Sequence, residues 1–176
     1  MNRINYIITQ NAYQYGVVFI LRGLPGTGKT TLARRISDDC DRHGISCSVV
    51  SRFPWWMCSN QDGHTDAYEE ACCLNRFECA LERRDQVIII DKINASKWDY
   101  QRYEEIGMEH HYTVQVIEFQ CGSWEKTLAT VRRSFLDRIL SHERIYWEMR
   151  HLEHSWDPDA IQFDVNYRFF HNIPRI

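Results

Sequence analysis

The chain has 176 residues, 44% of them apolar and 26% charged, and a formal charge of −3. That balance sits near the globular average and excludes disorder, collagen and coiled coil as overall descriptions. The longest apolar run, Val17–Leu21, is far short of the ~20 residues of a membrane helix, and the first residues lack a secretion signal's apolar core, so a cytoplasmic protein that makes no membrane contact is expected.

The elements alternate along the chain. Val17–Leu21 is apolar and rich in β-branched residues, which predicts a buried parallel strand. After a glycine-rich turn, Leu32, Ile36 and Cys40 recur at helical spacing between Lys29 and His43, and Gly44 is a natural stop. Cys47–Ser51 is the next expected strand. Arg52 to Gly63, with Pro54, Trp55, Trp56 and Asp62-Gly63, reads as a loop. Thr65 to Glu82 predicts a helix with Tyr68, Cys72, Phe77 and Leu81 on one side and Thr65 as its cap. Val87–Asp91 is the strongest strand in the chain. A helix is expected over Ser96–His110, with Asp99 in its first turn, then a strand over Val114–Phe119. Two helices are expected over Trp124–Ile139 and Ser141–His154, and a last strand near Ile161–Phe163. This βα alternation predicts an α/β fold of three layers around a mostly parallel sheet.

The seven cysteines are expected to be reduced and mostly buried. A metal site of Cys58 with His64 or His110-His111 lacks a recognised zinc spacing.

Residues 23–30, Gly-Leu-Pro-Gly-Thr-Gly-Lys-Thr, match the G-x-x-x-x-G-K-[ST] phosphate-binding loop, and they lie between an expected strand and helix as that motif requires. Nucleotide phosphates must be wrapped by backbone N–H groups, and glycine permits the close approach and positive φ this needs. Gly23, Pro25, Gly26, Thr27, Gly28, Lys29, Thr30 and Thr31 are therefore the expected nucleotide contacts. Lys29 brings a charge to the β- and γ-phosphates, and Thr30 brings a hydroxyl to Mg²⁺. Asp91, at the end of an apolar strand, is the expected second contact to Mg²⁺ or its water. Arg52, Trp55 and Trp56 could clamp a phosphate and stack on a base, or the tryptophans could plug the core. Residues 126–150 carry a net charge of +3, which suits a lid over a polyanion or a solvated helix face.

Phe19 to Arg34 resembles the start of the polynucleotide-kinase-type P-loop kinases, especially the kinase-like domain of myelin cyclic-nucleotide phosphodiesterases. Ile88–Asn94 is similar to that family's second motif and Tyr112–Glu118 to its next strand. Trp124 and Arg132-Arg133 fall where the family places a helical lid. The likeness spans about residues 17–153 and implies one P-loop kinase domain over 1–176, with 154–176 as an extension and no fused processing domain.

It further implies transfer of the γ-phosphate of ATP or GTP, with Mg²⁺, to a 5′-hydroxyl of RNA or DNA. Lys29, Asp91 and Arg133, with Arg132 as its rival, would be catalytic, and Arg52 and Asn94 would meet the acceptor. The sequence departs from the family at two acceptor-side positions. Phe53 stands where the family has its acidic base, and Lys92-Ile93 replaces a polar pair before Asn94. Asp62, Asp66 or Asp91 could serve as the base. Alternatively, the chain phosphorylates a small molecule or nucleoside, or it binds nucleotide with a weakened acceptor site.

Overall fold

The computed structural model describes residues 16–24, 26–52, 66–120 and 160–164. Within them five strands, β1 (Val17–Gly23), β2 (Cys47–Ser51), β3 (Val87–Asp91), β4 (Thr113–Gln120) and β5 (Ile161–Asp164), form one sheet in the order β2-β3-β1-β4-β5. Every pairing is parallel. β1 and β3 are buried along their whole length. A parallel strand covered on both faces selects the continuous apolar runs seen there.

Side-chain alternation along β1 divides the core in two. Val17, Phe19 and Leu21 face helix α1 (Lys29–His43), where they meet Leu32, Ala33, Ile36 and Cys40. Val18 and Ile20 face helices α2 (Asp66–Glu82) and α3 (Gln101–Glu109), where they meet Cys73, Phe77, Leu81 and Tyr103. The result is the expected three-layer α/β arrangement. The chain leaves β1 towards one face and leaves its neighbour β3 towards the other. That reversal opens a crevice at the strands' carboxyl ends, the usual ligand site of open α/β sheets.

The helix α1 and the strands β2 and β3 have the expected bounds. Gly44 closes α1 in the left-handed region, with φ 67°. Two expectations need correction. The buried side of α2 is Cys73, Phe77, Ala80 and Leu81, whereas Tyr68 is 55% exposed. The spacing i, i+4, i+7, i+8 keeps one helical face; the five-residue step from Cys72 to Phe77 leaves it. The single helix expected over Ser96–His110 is broken. Lys97–Asp99 form a 3-10 turn, and Tyr100, at φ −135°, separates it from α3. The Asp99 carboxylate accepts the Ser96 N–H at 2.8 Å, closing that turn on itself, and the fully buried Tyr100 anchors the break in the core. The expected helices over 124–154, the lid and the Thr65 cap lie outside the described residues.

Candidate nucleotide-binding site

The crevice holds the glycine-rich loop. Gly23, the last residue of β1, has φ 147°, and a Cβ there would lie 2.9 Å from the Cβ of Phe119 and 3.0 Å from its carbonyl oxygen. Only glycine lets β4 pass this close. Gly28 caps the amino end of α1 at φ 100°, a conformation costly to residues with a side chain. The Leu32 N–H then reaches back to the Gly28 carbonyl at 2.9 Å. The buried Thr27 hydroxyl donates to the Leu24 carbonyl at 2.8 Å, drawing the loop into a tight turn.

Lys29 opens α1, and its ammonium donates to the Gly23 and Leu24 carbonyls, each at 2.7 Å. The charge is thus held inside the loop's curve, beside the helix amino end where an anion is favoured. Thr30 follows, and its hydroxyl donates to Asp91 Oδ2 at 2.7 Å. Residues 61 positions apart meet because Asp91 ends the strand next to β1, paired with Leu21, and its side chain shares the α1 face with Val87 and Ile89. An alcohol and a carboxylate side by side are hard oxygen donors. They fit Mg²⁺, which takes one or two protein oxygens and completes its shell with phosphate and water. Thr31 follows on the first turn of α1, half-buried.

The residues expected on the acceptor side are arranged differently. Arg52, just after β2, pairs through Nε with Glu69 of α2 at 2.8 Å. Lys92, just after Asp91, points to the opposite face and binds both oxygens of Glu70, at 2.7 and 2.5 Å. The Tyr103 hydroxyl donates to the same carboxylate at 2.7 Å, and the Lys92 ammonium lies 4.6 Å from the centre of the Tyr103 ring. Burial, then the hydrogen bond to Glu70, pushes the Tyr103 pKa well up, so this phenol stays a donor. The lysine that departs from the family pattern is therefore neutralised and ties β3 to α2.

Asn94 does not present its amide to an acceptor, contrary to expectation. It is 2% exposed, at φ 49°, and its Nδ2 donates to the Leu21 carbonyl at 2.8 Å. That amide nitrogen is engaged within the core, while the buried Oδ1 has no hydrogen-bond partner among the described residues. Asp66 begins α2. Pro25, Phe53, Trp55, Trp56, Asp62, Arg132 and Arg133 lie outside the described residues. Sequence reasoning missed Arg22, Glu70 and Tyr103. For Arg22 the signal was present, a lone charge at the end of the apolar run Phe19–Leu21.

The fold and site together define a P-loop kinase-like α/β domain. More particularly, residues 18–132 match the family described as AAA domain, and the chain belongs to that family. Human NEDD4-binding protein 2 is 28% identical over 172 residues, covering 90% of this chain and 9% of that protein. Rat 2′,3′-cyclic-nucleotide 3′-phosphodiesterase is 30% identical over 102 residues, covering 57% of this chain and 23% of its own length. The chain thus spans less than a quarter of either relative. In the solved structure of the Pnkp1/Rnl/Hen1 RNA repair complex, one chain shares the fold, with a TM-score of 0.60 and 19% identity over 85% of this chain and 50% of that one. Among the described residues no helix is long and apolar enough to cross a membrane.

Proposed function

We propose that this domain binds ATP or GTP with Mg²⁺ and transfers the γ-phosphate to a 5′-hydroxyl of RNA or DNA. The observation that carries the reading is the contact between the Thr30 hydroxyl and Asp91, set beside Lys29 at the mouth of the phosphate loop. The 23–31 loop amides and Lys29 hold the donor phosphates. Thr30 and Asp91 would hold Mg²⁺, which would supply positive charge to the donor phosphates. Such a transfer has a loose transition state and depends mainly on positioning and charge neutralisation. The bond from the γ-phosphorus to its bridging oxygen breaks as the acceptor oxygen bonds to that phosphorus, and the nucleoside diphosphate leaves. The acceptor's hydroxyl proton passes to a carboxylate for which Asp62, Asp66 and Asp91 are the candidates, and Arg133 is proposed to steady the transferred group. Arg52 is proposed to meet the acceptor. The nucleic-acid acceptor is supported by the likeness to the RNA repair complex chain and to the phosphodiesterase.

Incubating the protein with γ-labelled ATP, Mg²⁺ and 5′-hydroxyl oligonucleotides tests the reading. Label on RNA or DNA, absent from Lys29→Ala, is the expected result. Tight nucleotide binding with no labelled oligonucleotide overturns it. One observation favours a second reading, a smaller acceptor or a nucleotide-dependent binding module. Lys92 and Glu70 neutralise each other where the family keeps polar groups for its acceptor. Transfer to a nucleoside or small polyol, or binding with no transfer at all, supports that reading.

A further inference from the structure

Arg22 is an unusual residue to find inside a parallel sheet. It is the penultimate residue of β1, directly before Gly23, and it is wholly buried. Its Nη1 donates to Glu118 Oε2 at 2.7 Å. Glu118 is its register partner on β4. Its Nε and Nη2 donate to the carbonyls of Asn94 at 3.2 Å and Ala95 at 2.8 Å. The guanidinium also lies 5.9 Å from the centre of the Tyr100 ring. Two further bonds join the same pieces of chain: Gly23 N–H to the Ile93 carbonyl at 2.9 Å, and Asn94 Nδ2 to the Leu21 carbonyl. Four bonds thus fasten residues 93–95 to the end of the strand that carries the phosphate loop.

A buried ion pair is a poor stabiliser, because desolvating both charges offsets most of their attraction, and an apolar replacement is often as stable. What a guanidinium offers here is geometry. A planar fork meets a carboxylate and two carbonyls from three separate nitrogens at fixed angles, whereas a lysine's donors share one nitrogen and an apolar side chain has none. The segment it holds begins with Lys92, which reaches across to Glu70 on α2. Arg22 therefore connects the donor loop, through residues 92–95, to the helix that borders the proposed acceptor side.

We propose that Arg22, paired with Glu118, is a positioning residue that sets residues 92–95, and through Lys92 the start of α2, against the phosphate loop. It does not touch the nucleotide. Its kinetic arm rests on the proposed phosphoryl transfer; its exchange arm does not.

The test is Arg22→Lys, which keeps the charge beside Glu118 and loses the fork. Hydrogen–deuterium exchange, thermal melting, nucleotide affinity and steady-state transfer are measured on the full chain. Exchange is expected to rise at residues 92–96 while the melting temperature stays within about 3 °C. Nucleotide affinity stays within about threefold, while kcat falls and acceptor KM rises, lowering kcat/KM about 10–100-fold, the usual consequence of a small misplacement. Exchange at 92–96 equal to the parent protein overturns the proposal. So does a general rise in exchange with a large loss of melting temperature, which marks an ordinary folding role. If Arg22→Lys fails to fold, Glu118→Gln is read by the same criteria. If the parent transfers phosphate to no acceptor, the exchange and affinity measurements still decide the positioning role.

Discussion

The proposed donor and acceptor sides of the crevice are built by different means. The donor side comes largely from one stretch of chain: residues 23–31 carry the cap and the lysine, while Asp91 at the end of β3 and the Ile93 carbonyl just beyond it join them. The proposed acceptor side comes from side chains reaching between elements, namely Arg52 to Glu69, Lys92 and Tyr103 to Glu70, and Arg22 to Glu118 and the Asn94 and Ala95 carbonyls. Backbone geometry tolerates little change but is compact in sequence. Side-chain bridges can be exchanged one at a time.

The largest expected effect falls on the donor side. Lys29→Ala should weaken ATP binding by at least about 100-fold in a calorimetric titration, because it removes the charge proposed to meet the β- and γ-phosphates. An unchanged affinity would break the assignment of this loop as the donor site.

On the acceptor side the two halves of one ion pair should differ. Lys92 is buried, with 6% of its side chain exposed, while Glu70 is 46% exposed. Glu70→Ala leaves a buried ammonium without its carboxylate and should cost about 2–3 kcal/mol. Lys92→Met leaves a carboxylate near water and should cost under about 1 kcal/mol. Urea titration of both variants checks the asymmetry, and equal losses would refute it.

Gly23→Ala comes next. The added Cβ meets Phe119 at 2.9 Å, and the backbone strain alone is of order 1–3 kcal/mol. A fall in melting temperature of about 4–8 °C is expected, with nucleotide binding impaired in proportion to the distorted loop.

Asp91→Asn should spare nucleotide binding without metal but reduce the gain on adding Mg²⁺ by about tenfold. Titrations with and without Mg²⁺ separate the two. An undiminished gain would remove Asp91 from the metal site.

The smallest effect concerns Tyr103. Its pKa is raised in the folded protein, so its stabilisation is complete below the unfolded tyrosine value of about 10 and is lost as pH climbs from there towards the folded value. Stability should therefore decline above about pH 10, and Tyr103→Phe should flatten part of that decline. A parallel decline in both proteins would show that the phenol plays no part.

Legibility followed the same division. The phosphate-loop motif, β1, α1, β2 and β3 could be read because each depends on neighbours in sequence: a run of β-branched residues, a 3.6-residue period, glycines where φ is positive. The buried face of α2 holds Cys73 rather than its neighbour Cys72, as the four-residue step to Phe77 requires, and two identical side chains in a row mask that difference. The break at Tyr100 was hidden because Ser96 and Asp99 also begin ordinary helices. Asn94 was assigned to the acceptor because its burial under Leu21 depends on where β1 lies.

The sequence by itself determined that a strand, a phosphate-wrapping turn and a helix follow one another at residues 17–43, since those are local matters of sterics and periodicity. Only the tertiary structure decided that Thr30 meets Asp91, that Lys92 is spoken for by Glu70, and that Arg22 is buried against Glu118 and two carbonyls. Those contacts join residues 22 to 96 positions apart, and strand order and register, which no local pattern encodes, bring them together.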